Sequence, residues 1–270
     1  MKIFVVESVN QLQWLNEAAQ ARDVVPQVLL RVQLRWPDDE KNPLGGNTLT
    51  PFGLSTEDWS GISLEDYQSV DVAGLHIFQW GNMLDNERMK SLWSQMVSPL
   101  KSLANDLGIN FRILDLGGGL GIDYVNSEKS LSWPQIIDDL ATIKASAGVD
   151  EIWLELGRFA VAACGYYLAP VVDRKTNAEK EQLVLAAGIN HIIRPAITEQ
   201  PFPVTSLKLS NEETQEFEIH GPLCTSLDKL GSLSLPQGVD VNDFIVFGYC
   251  GAYGFTESMP FFLCHPIAAE

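Results

Sequence analysis

Residues 112–119 read Arg-Ile-Leu-Asp-Leu-Gly-Gly-Gly, an apolar strand that runs directly into three consecutive glycines. Because glycine has no Cβ, such a run lets backbone N–H groups converge on an anion. The segment matches neither the GxGxxG nor the Walker pattern, so those nucleotide-binding motifs are not indicated. Taken alone, the glycines also fit a plain strand-to-helix turn.

On both sides of this segment, buried strands alternate with amphipathic helices. Strands are predicted at 2–6, 28–32, 72–78, 112–116 and 151–154, and helices at 8–21, 86–107 and 133–147. Ser8 is expected to cap the first helix. Residues 36–62 are rich in proline and glycine and are predicted to form a loop. The alternation is typical of a parallel α/β architecture.

The pattern changes near residue 166. Strand-like pieces then follow one another at 167–173, 182–186, 217–219 and 244–247, separated by proline and glycine turns. Successive short strands of this kind favour an antiparallel sheet. The sequence therefore predicts two domains, an α/β domain over 1–165 and an antiparallel β domain over 166–270.

Composition narrows the classes of function. The 270 residues are 46% hydrophobic and 20% charged, as in globular proteins, and the net charge is -17. A surface this acidic repels phosphate backbones, so nucleic-acid binding is not expected. An anionic ligand would need a local group of hydrogen-bond donors.

The four cysteines, Cys164, Cys224, Cys250 and Cys264, form no CxxC pair. Neither a metal centre nor a disulfide framework is expected, and reduced thiols fit a cytoplasmic protein. The first residues do not follow the pattern of a secretory signal. No apolar stretch approaches the roughly 20 residues of a membrane span.

Four segments together resemble the fold-type III pyridoxal-phosphate (PLP) decarboxylases, the family of ornithine and diaminopimelate decarboxylases. In family order they are 116–121 (LGGGLG), 155–158 (ELGR), 220–228 (HGPLCTSLD) and 251–254 (GAYG). The resemblance implies an incomplete (β/α)8 barrel that lacks its first strands, followed by the β domain. It also implies PLP as cofactor, decarboxylation of an amino acid, and a homodimer with shared sites. Racemases share the barrel, but the cysteine and tyrosine segments resemble those of decarboxylases.

The resemblance assigns roles to the cofactor-binding residues. Gly117, Gly118 and Gly119 would hold the cofactor phosphate, with Gly157, Arg158 and Tyr253 beside it. Glu155 would pair with the pyridine nitrogen and keep it protonated, so that the ring accepts electrons. Without the resemblance, Glu155 also fits a surface carboxylate paired with Arg158, and Tyr253 a packed aromatic near a turn.

Cys224 and Asp228 are the predicted catalytic residues. By resemblance, Cys224 acts across a dimer interface, whereas cysteine alone is more often a small buried hydrophobe. Asp228 would contact a substrate amine or a neighbouring loop. Thr225 stands where members with amine substrates carry an acid. The Gly-Pro-Leu-Cys-Thr string resembles a subgroup with carrier-protein substrates, so a carrier-tethered amino acid is expected.

The third predicted strand departs from the family pattern. His76 is assigned to the cofactor, with a core histidine that has its hydrogen bonds satisfied as the alternative. Phe78 replaces a second histidine that stacks on the pyridine ring, and Trp80 replaces a small residue. Arg194 fits either a substrate carboxylate or a dimer contact, and the sequence does not choose between them.

A Schiff-base lysine is the missing family element. None of the ten lysines lies in a comparable strand: Lys2, Lys41, Lys90, Lys101, Lys129, Lys144, Lys175, Lys180, Lys208 and Lys229. Five barrel strands would leave open edges, which invite pairing with another chain. We therefore expect a fragment or split enzyme completed by an N-terminal chain, inactive alone. The alternative is a non-catalytic subunit that binds PLP or a related phosphate.

Overall fold

The computed structural model describes residues 3–36, 41–42, 45–46, 50–125, 130–198, 202–208 and 213–270. Lys2 and parts of the predicted 36–62 loop lie outside these ranges. The chain divides into two compact units, the first from 1–121 and 130–156 and the second from 122–129 and 157–270. The predicted domain boundary near residue 165 falls inside the second unit, and it stays a prediction.

Five strands of the first unit follow the predicted order, and two short ones lie where a loop was predicted over 36–62. They are β1 (Ile3–Val6), β2 (Gln27–Arg31), β3 (Lys41–Asn42), β4 (Gly45–Gly46), β5 (Asp71–His76), β6 (Ile113–Asp115) and β7 (Glu151–Trp153). Five of them form one sheet in the order β1-β2-β5-β6-β7, and every pairing in it is parallel. β3 and β4 form a separate two-stranded sheet. Strands that pair in chain order are typical of an α/β barrel.

Helices connect these strands. They are α1 (Val9–Gln20), α2 (Thr56–Ser60), α3 (Asn86–Asp106) and α4 (Trp133–Ala147), with a 3-10 turn at Leu64–Asp66. The predicted cap is confirmed, because the Ser8 hydroxyl oxygen accepts a hydrogen bond from the Gln11 amide. That bond satisfies one of the donors left free at a helix start. No helix of the described residues is long and apolar enough to cross a membrane.

The central strands of the sheet in the first unit are mostly buried, as strands of parallel sheets generally are. Val28, Leu29 and Leu30 of β2 are fully buried. Gly74 allows the close approach of β5 to β6, because a Cβ there would lie 1.8 Å from the Ile113 carbonyl oxygen. Tight packing of adjacent parallel strands fixes their carboxyl ends at one edge of the sheet.

The second unit is built on a six-stranded sheet. Its strands are β8 (Tyr167–Asn177), β9 (Lys180–Leu185), β10 (Val204–Ser206), β11 (Thr214–His220), β12 (Lys229–Pro236) and β13 (Phe244–Phe247). The order is β10-β13-β8-β9-β11-β12. The prediction of a wholly antiparallel domain is wrong at one pairing, because β9 and β11 run parallel. A long connection between these two strands makes the parallel arrangement possible.

Short helical segments surround this sheet: α5 (Gly157–Val161), α6 (Arg194–Thr198), and 3-10 turns at Ala162–Cys164, Phe255–Glu257 and Phe262–Cys264. The core is a cluster of buried side chains that includes Phe217, Phe247, Leu183 and Leu185. Tyr124, which belongs to this unit although it precedes α4, packs in the same cluster.

Candidate functional site

Ionisable side chains gather at the carboxyl ends of three neighbouring strands in the first unit. His76 ends β5 and Asp115 ends β6, and the two are in register. Glu155 follows Trp153, the residue of β7 that is in register with Asp115. A nitrogen of His76 and carboxylate oxygens of Asp115 and Glu155 all lie within 4.8 Å of one another. We refer to these three residues as the His–Asp–Glu cluster.

His76 lies in the protein core with only one of its two ring nitrogens engaged. Its side chain is 3% exposed, and Nε2 lies 3.5 Å from Glu155 Oε2. Nδ1 is buried and has no hydrogen-bond partner among the described residues. The interpretation of a satisfied core histidine is therefore wrong for Nδ1. An unpaired buried nitrogen is uncommon and calls for an explanation.

The two carboxylic acids of the cluster experience opposite influences. A side-chain hydrogen bond from His76 lowers the pKa of Glu155, and this outweighs the effect of partial burial. Burial raises the pKa of Asp115, and the nearby negative charge of Glu155 acts in the same direction. The two environments thus shift the pKa values of the two acids in opposite directions. Glu155 is the carboxylate, and Asp115 is the acid that binds a proton more readily.

Two further charged residues belong to the same edge of the sheet and were missed from the sequence. Arg31 ends β2 and forms an ion pair with Glu7, which directly follows β1. The positive charge of Arg31 also contributes to the lowered pKa of Glu155. The sequence signal was present, since a charged or ionisable residue stands at or just beyond the end of all five strands.

The glycine loop leaves no room for side chains. A Cβ at Gly117 would lie 2.6 Å from Phe78 Cβ, and a Cβ at Gly119 would lie 2.9 Å from the Trp80 carbonyl oxygen. Both glycines also have positive φ, +66° and +117°. A Cβ at Gly118 would lie 2.9 Å from the Glu155 carbonyl oxygen. All three glycines are thus required by close backbone approach.

The loop is anchored on its own strand. Asp115 Oδ1 accepts a hydrogen bond of 2.9 Å from the Gly117 amide. The amides of Gly118 and Gly119 donate to no other group in the described part of the chain. Leu120 then forms a single parallel bridge with Met83, and no helix follows directly. The alternative of a plain strand-to-helix turn is therefore wrong, and two backbone donors are available to a ligand.

In the second unit, the structure brings together the three residues assigned to the phosphate. The Arg158 guanidinium carbon lies 4.6 Å from the centre of the Tyr253 ring, within the range of a cation–π contact. Arg158 Nη1 donates a hydrogen bond of 2.7 Å to the Tyr124 hydroxyl. A Cβ at Gly157 would lie 3.4 Å from the Tyr253 hydroxyl oxygen.

Arg194 also lies near Tyr253, with its guanidinium carbon 5.7 Å from the ring centre. Its Nη1 donates to both carboxylate oxygens of Glu257, at 2.9 and 3.1 Å. Glu257 was not predicted from the sequence, because no local pattern links it to an arginine 63 residues away. Two guanidinium groups therefore lie near one half-exposed tyrosine, although one of them is already paired with a carboxylate.

The turn after β11 carries the two predicted catalytic residues, in different environments. Cys224 is exposed, so the interpretation as a buried hydrophobe is wrong. Asp228 is 3% exposed. Its Oδ1 accepts from the Ile189 amide at 2.8 Å, and its Oδ2 accepts from the Leu223 amide at 2.7 Å. Asp228 thus contacts a neighbouring loop, one of the two expected alternatives, and its catalytic role stays a prediction.

Comparison with known proteins gives the family. A family model described as pyridoxal-dependent decarboxylase, C-terminal sheet domain, matches residues 4–251. The chain belongs to this family. The match spans both units of the structure, so the resemblance noted from four short segments extends to most of the chain.

Three relatives illustrate the relationship. The chain is 25% identical to 2-[(L-alanin-3-ylcarbamoyl)methyl]-2-hydroxybutanedioate decarboxylase of Staphylococcus aureus, over 97% of the chain and 68% of that protein. It is 29% identical to diaminopimelate decarboxylase of Bacteroides thetaiotaomicron, over 93% of the chain and 66% of that protein. The crystal structure of diaminopimelate decarboxylase from M. jannaschii superposes with a TM-score of 0.82 and 27% identity, covering 96% and 61%. The chain thus spans about two thirds of the length of its relatives.

PLP is the cofactor of this family, and the residues of the first unit fit it. Glu155 is a carboxylate of lowered pKa, the form that a protonated pyridine nitrogen requires. Gly118 and Gly119 offer two backbone amides to a phosphate, in a loop where no side chain intrudes. When bound, PLP supplies a ring that accepts the electron pair left by a departing carboxylate.

Proposed function

We propose that this chain contributes part of the active site of a PLP-dependent amino-acid decarboxylase, which releases the α-carboxylate of its substrate as CO2. The observation that carries the proposal is the ionised carboxylate of Glu155 next to the glycine loop, at the carboxyl ends of β6 and β7. The carboxyl ends of barrel strands are where the active sites of such barrels lie. We further propose that the five-stranded sheet is part of a (β/α)8 barrel.

In this proposal, the first unit binds the cofactor at two points. Glu155 accepts a hydrogen bond from the pyridine nitrogen and favours its protonated form. The amides of Gly117, Gly118 and Gly119 surround the phosphate, of which those of Gly118 and Gly119 are available as donors. Phe78 lies against this loop and is the proposed replacement for the stacking histidine.

Gly157, Arg158 and Tyr253 are proposed as further phosphate contacts. Arg158 is permanently charged and presents several donors, which suits a phosphate. The small Gly157 leaves space at the Tyr253 hydroxyl. The contact between Arg158 and Tyr253 supports a shared role for these residues, and the Tyr124 hydroxyl holds the guanidinium in place.

Cys224 is proposed to act in the active site of the partner subunit of a homodimer, where it protonates the product or orients the substrate. Its exposure on the turn after β11 supports a role toward another chain. For Asp228 we propose the supporting role that its contacts favour. By binding two backbone amides, it fixes the turn that presents Cys224.

The Schiff-base lysine is proposed to come from a polypeptide segment outside this sequence. No residue of the five strands described in the parallel sheet is a lysine. Three lysines of the first unit, Lys90, Lys101 and Lys144, lie on α3 and α4. A complementing segment would add the missing strands beside β1.

We propose a carrier-tethered amino acid as the substrate class. Thr225 stands where a free amine substrate would be met by an acid, and its hydroxyl oxygen accepts a hydrogen bond from the Leu227 amide. The adjacent Cys224, Ser226 and Leu227 are exposed. An exposed turn is compatible with a substrate delivered on a second protein.

The test is release of CO2 by the purified chain, alone and after addition of a polypeptide that supplies the lysine-bearing strands. We expect neither bound PLP absorbance nor CO2 release from the chain alone, and both from the complex, with free and carrier-tethered amino acids as substrates. Glu155→Gln should lower CO2 release by about 100-fold or more, because it removes the carboxylate that keeps the pyridine nitrogen protonated. Glu151→Gln, an exposed position of β7, is the matched control.

A folded complex that binds PLP but releases no CO2 from any substrate would contradict the proposal. That outcome would favour the second candidate, a non-catalytic subunit that binds PLP or a related phosphate. The observation behind this candidate is the absence of a lysine from the described strands of the sheet, together with Phe78 in place of the stacking histidine.

A further inference from the structure

The first unit contains a single histidine, His76, and its ring is oriented toward one partner. Nε2 faces Glu155, while Nδ1 is buried without a hydrogen-bond partner among the described residues. A histidine that served only the core would be expected to satisfy both nitrogens. The ring orientation thus leaves one hydrogen bond unmade and retains the contact with Glu155.

We propose that His76 is a positioning residue, which fixes the Glu155 carboxylate in its ionised form and in one orientation for the cofactor. The inference rests on the proposed function and deepens it. It gives His76 a role that acts through Glu155 and requires no contact with the cofactor.

The need for such a residue follows from the neighbouring acid. Asp115 and Glu155 both place carboxylate oxygens within 4.8 Å of the His76 ring and of each other. Two carboxylates this close resist ionising together, because like charges repel. The contact of His76 Nε2 with Glu155 favours the ionised form of Glu155 in spite of this repulsion.

The Glu155 side chain has more rotamer freedom than the His76 ring that it contacts. The Glu155 side chain is 54% exposed, whereas the His76 side chain is 3% exposed. A half-exposed glutamate has several accessible rotamers, and a contact with an immobile buried ring selects among them. His76 is immobile because it ends β5, which pairs with β2 on one side and β6 on the other.

The other charged groups that influence Glu155 lie on β6 and β2. Asp115 on β6 has a raised pKa, chiefly because it is buried. Arg31 on β2 also favours the Glu155 carboxylate, but less than His76 does, and it forms an ion pair with Glu7. His76 is therefore the main local influence on the charge of Glu155.

The experiment measures the titration of the Glu155 side-chain carboxyl carbon by carbon-13 NMR, in the full chain without added PLP. Glu155→Gln identifies the signal. In His76→Phe, which keeps a buried ring without a donor, we expect the titration midpoint of Glu155 to rise relative to the wild type. His76→Gln keeps a hydrogen-bond donor, and should give a smaller rise. Arg31→Gln should shift the midpoint less than His76→Phe.

An unchanged Glu155 midpoint in His76→Phe would overturn the positioning role, whatever PLP does. Should the phenylalanine variant not fold, the glutamine variant decides alone, because loss of the contact with the buried ring should still raise the midpoint. His265→Gln, in the second unit, is the control for replacing a histidine as such.

PLP binding by the complemented complex separates this inference from the proposed function. We expect His76→Phe to bind PLP about tenfold more weakly, because the contact that selects one Glu155 rotamer before the cofactor binds is lost. A shifted Glu155 midpoint with no PLP binding by the wild-type complex would contradict the proposed function and leave the positioning role intact. Wild-type PLP affinity in His76→Phe would contradict the positioning role.

Discussion

The Asp228 carboxylate connects two separate loops of the second unit. It accepts hydrogen bonds from the amides of Ile189 and Leu223, and neither Gly188 nor Gly221 has room for a Cβ beside it. The family resemblance predicted a catalytic role for Asp228, in contact with a substrate amine or a neighbouring loop. Only the structure reveals that both of its oxygens are occupied by backbone donors.

Asp228→Asn should destabilise the protein by about 1–3 kcal/mol, because an amide group presents a donor to one of the two backbone amides and leaves it unsatisfied. Urea unfolding measures the change. The control is Asp173→Asn at an exposed position, where the contact with Lys175 is 3.6 Å and the expected change is within about 0.5 kcal/mol. Equal stability of the two variants would show that the Asp228 hydrogen bonds contribute little.

Elements were predicted from the sequence where the local pattern is strong. The bounds of α4 and β13 agree with the predicted ranges 133–147 and 244–247. β12 was missed, because Gly231 and the serines of residues 229–236 have low strand propensity. Its pairing with β11 over seven residues overrides that propensity. The parallel pairing of β9 with β11 was also missed, since strand direction depends on the path of the connection.

Glu218 of β11 forms ion pairs with lysines on both neighbouring strands, β9 and β12. Its Oε1 lies 2.8 Å from Nζ of Lys180 on β9 and 3.3 Å from Nζ of Lys229 on β12. Hydrogen bonds from these two lysines lower the pKa of Glu218 to about 2. Because the pKa is lower in the folded state, the carboxylate stabilises the fold at pH values above its unfolded pKa. That stabilisation is lost as the pH falls toward 2.

Glu218→Gln should therefore lower the thermal unfolding midpoint at pH 7, and the difference from the wild type should shrink steadily between about pH 4.5 and pH 2. Thermal unfolding followed by circular dichroism over this pH range tests the prediction. Glu216→Gln, at an exposed position of the same strand, is the control. A difference that stays constant with pH would mean that the charge of Glu218 is not responsible.

At the scale of the whole molecule, β1 forms an edge of the parallel sheet. Within the described residues it pairs with β2 alone, and Val5 on it is 39% exposed. An apolar groove beside this edge is lined by Phe4, Leu15, Val24 and Val25, among others. Exposed edge strands with apolar side chains tend to pair with other chains.

Val5→Lys should reduce concentration-dependent self-association of the chain, because a charge on an edge strand opposes strand pairing. Sedimentation velocity at several protein concentrations measures this. Val241→Lys, at a position 43% exposed in the second unit, changes the net charge equally and should leave association unchanged. Association of the Val5 variant at the wild-type level would exclude β1 as the contact.

The sequence by itself determined the order of strands and helices, the glycine loop and the carboxylate at residue 155. These features depend on periodicity and on conformational demands that act within a few residues. The tertiary structure alone decided that His76 faces Glu155, that Arg31 pairs with Glu7, and that Asp228 is bound by backbone amides. The contacts of His76 with Glu155, of Arg31 with Glu7 and of Asp228 with the Ile189 amide join residues 24 to 79 positions apart. They depend on strand register, which no local stretch of sequence specifies.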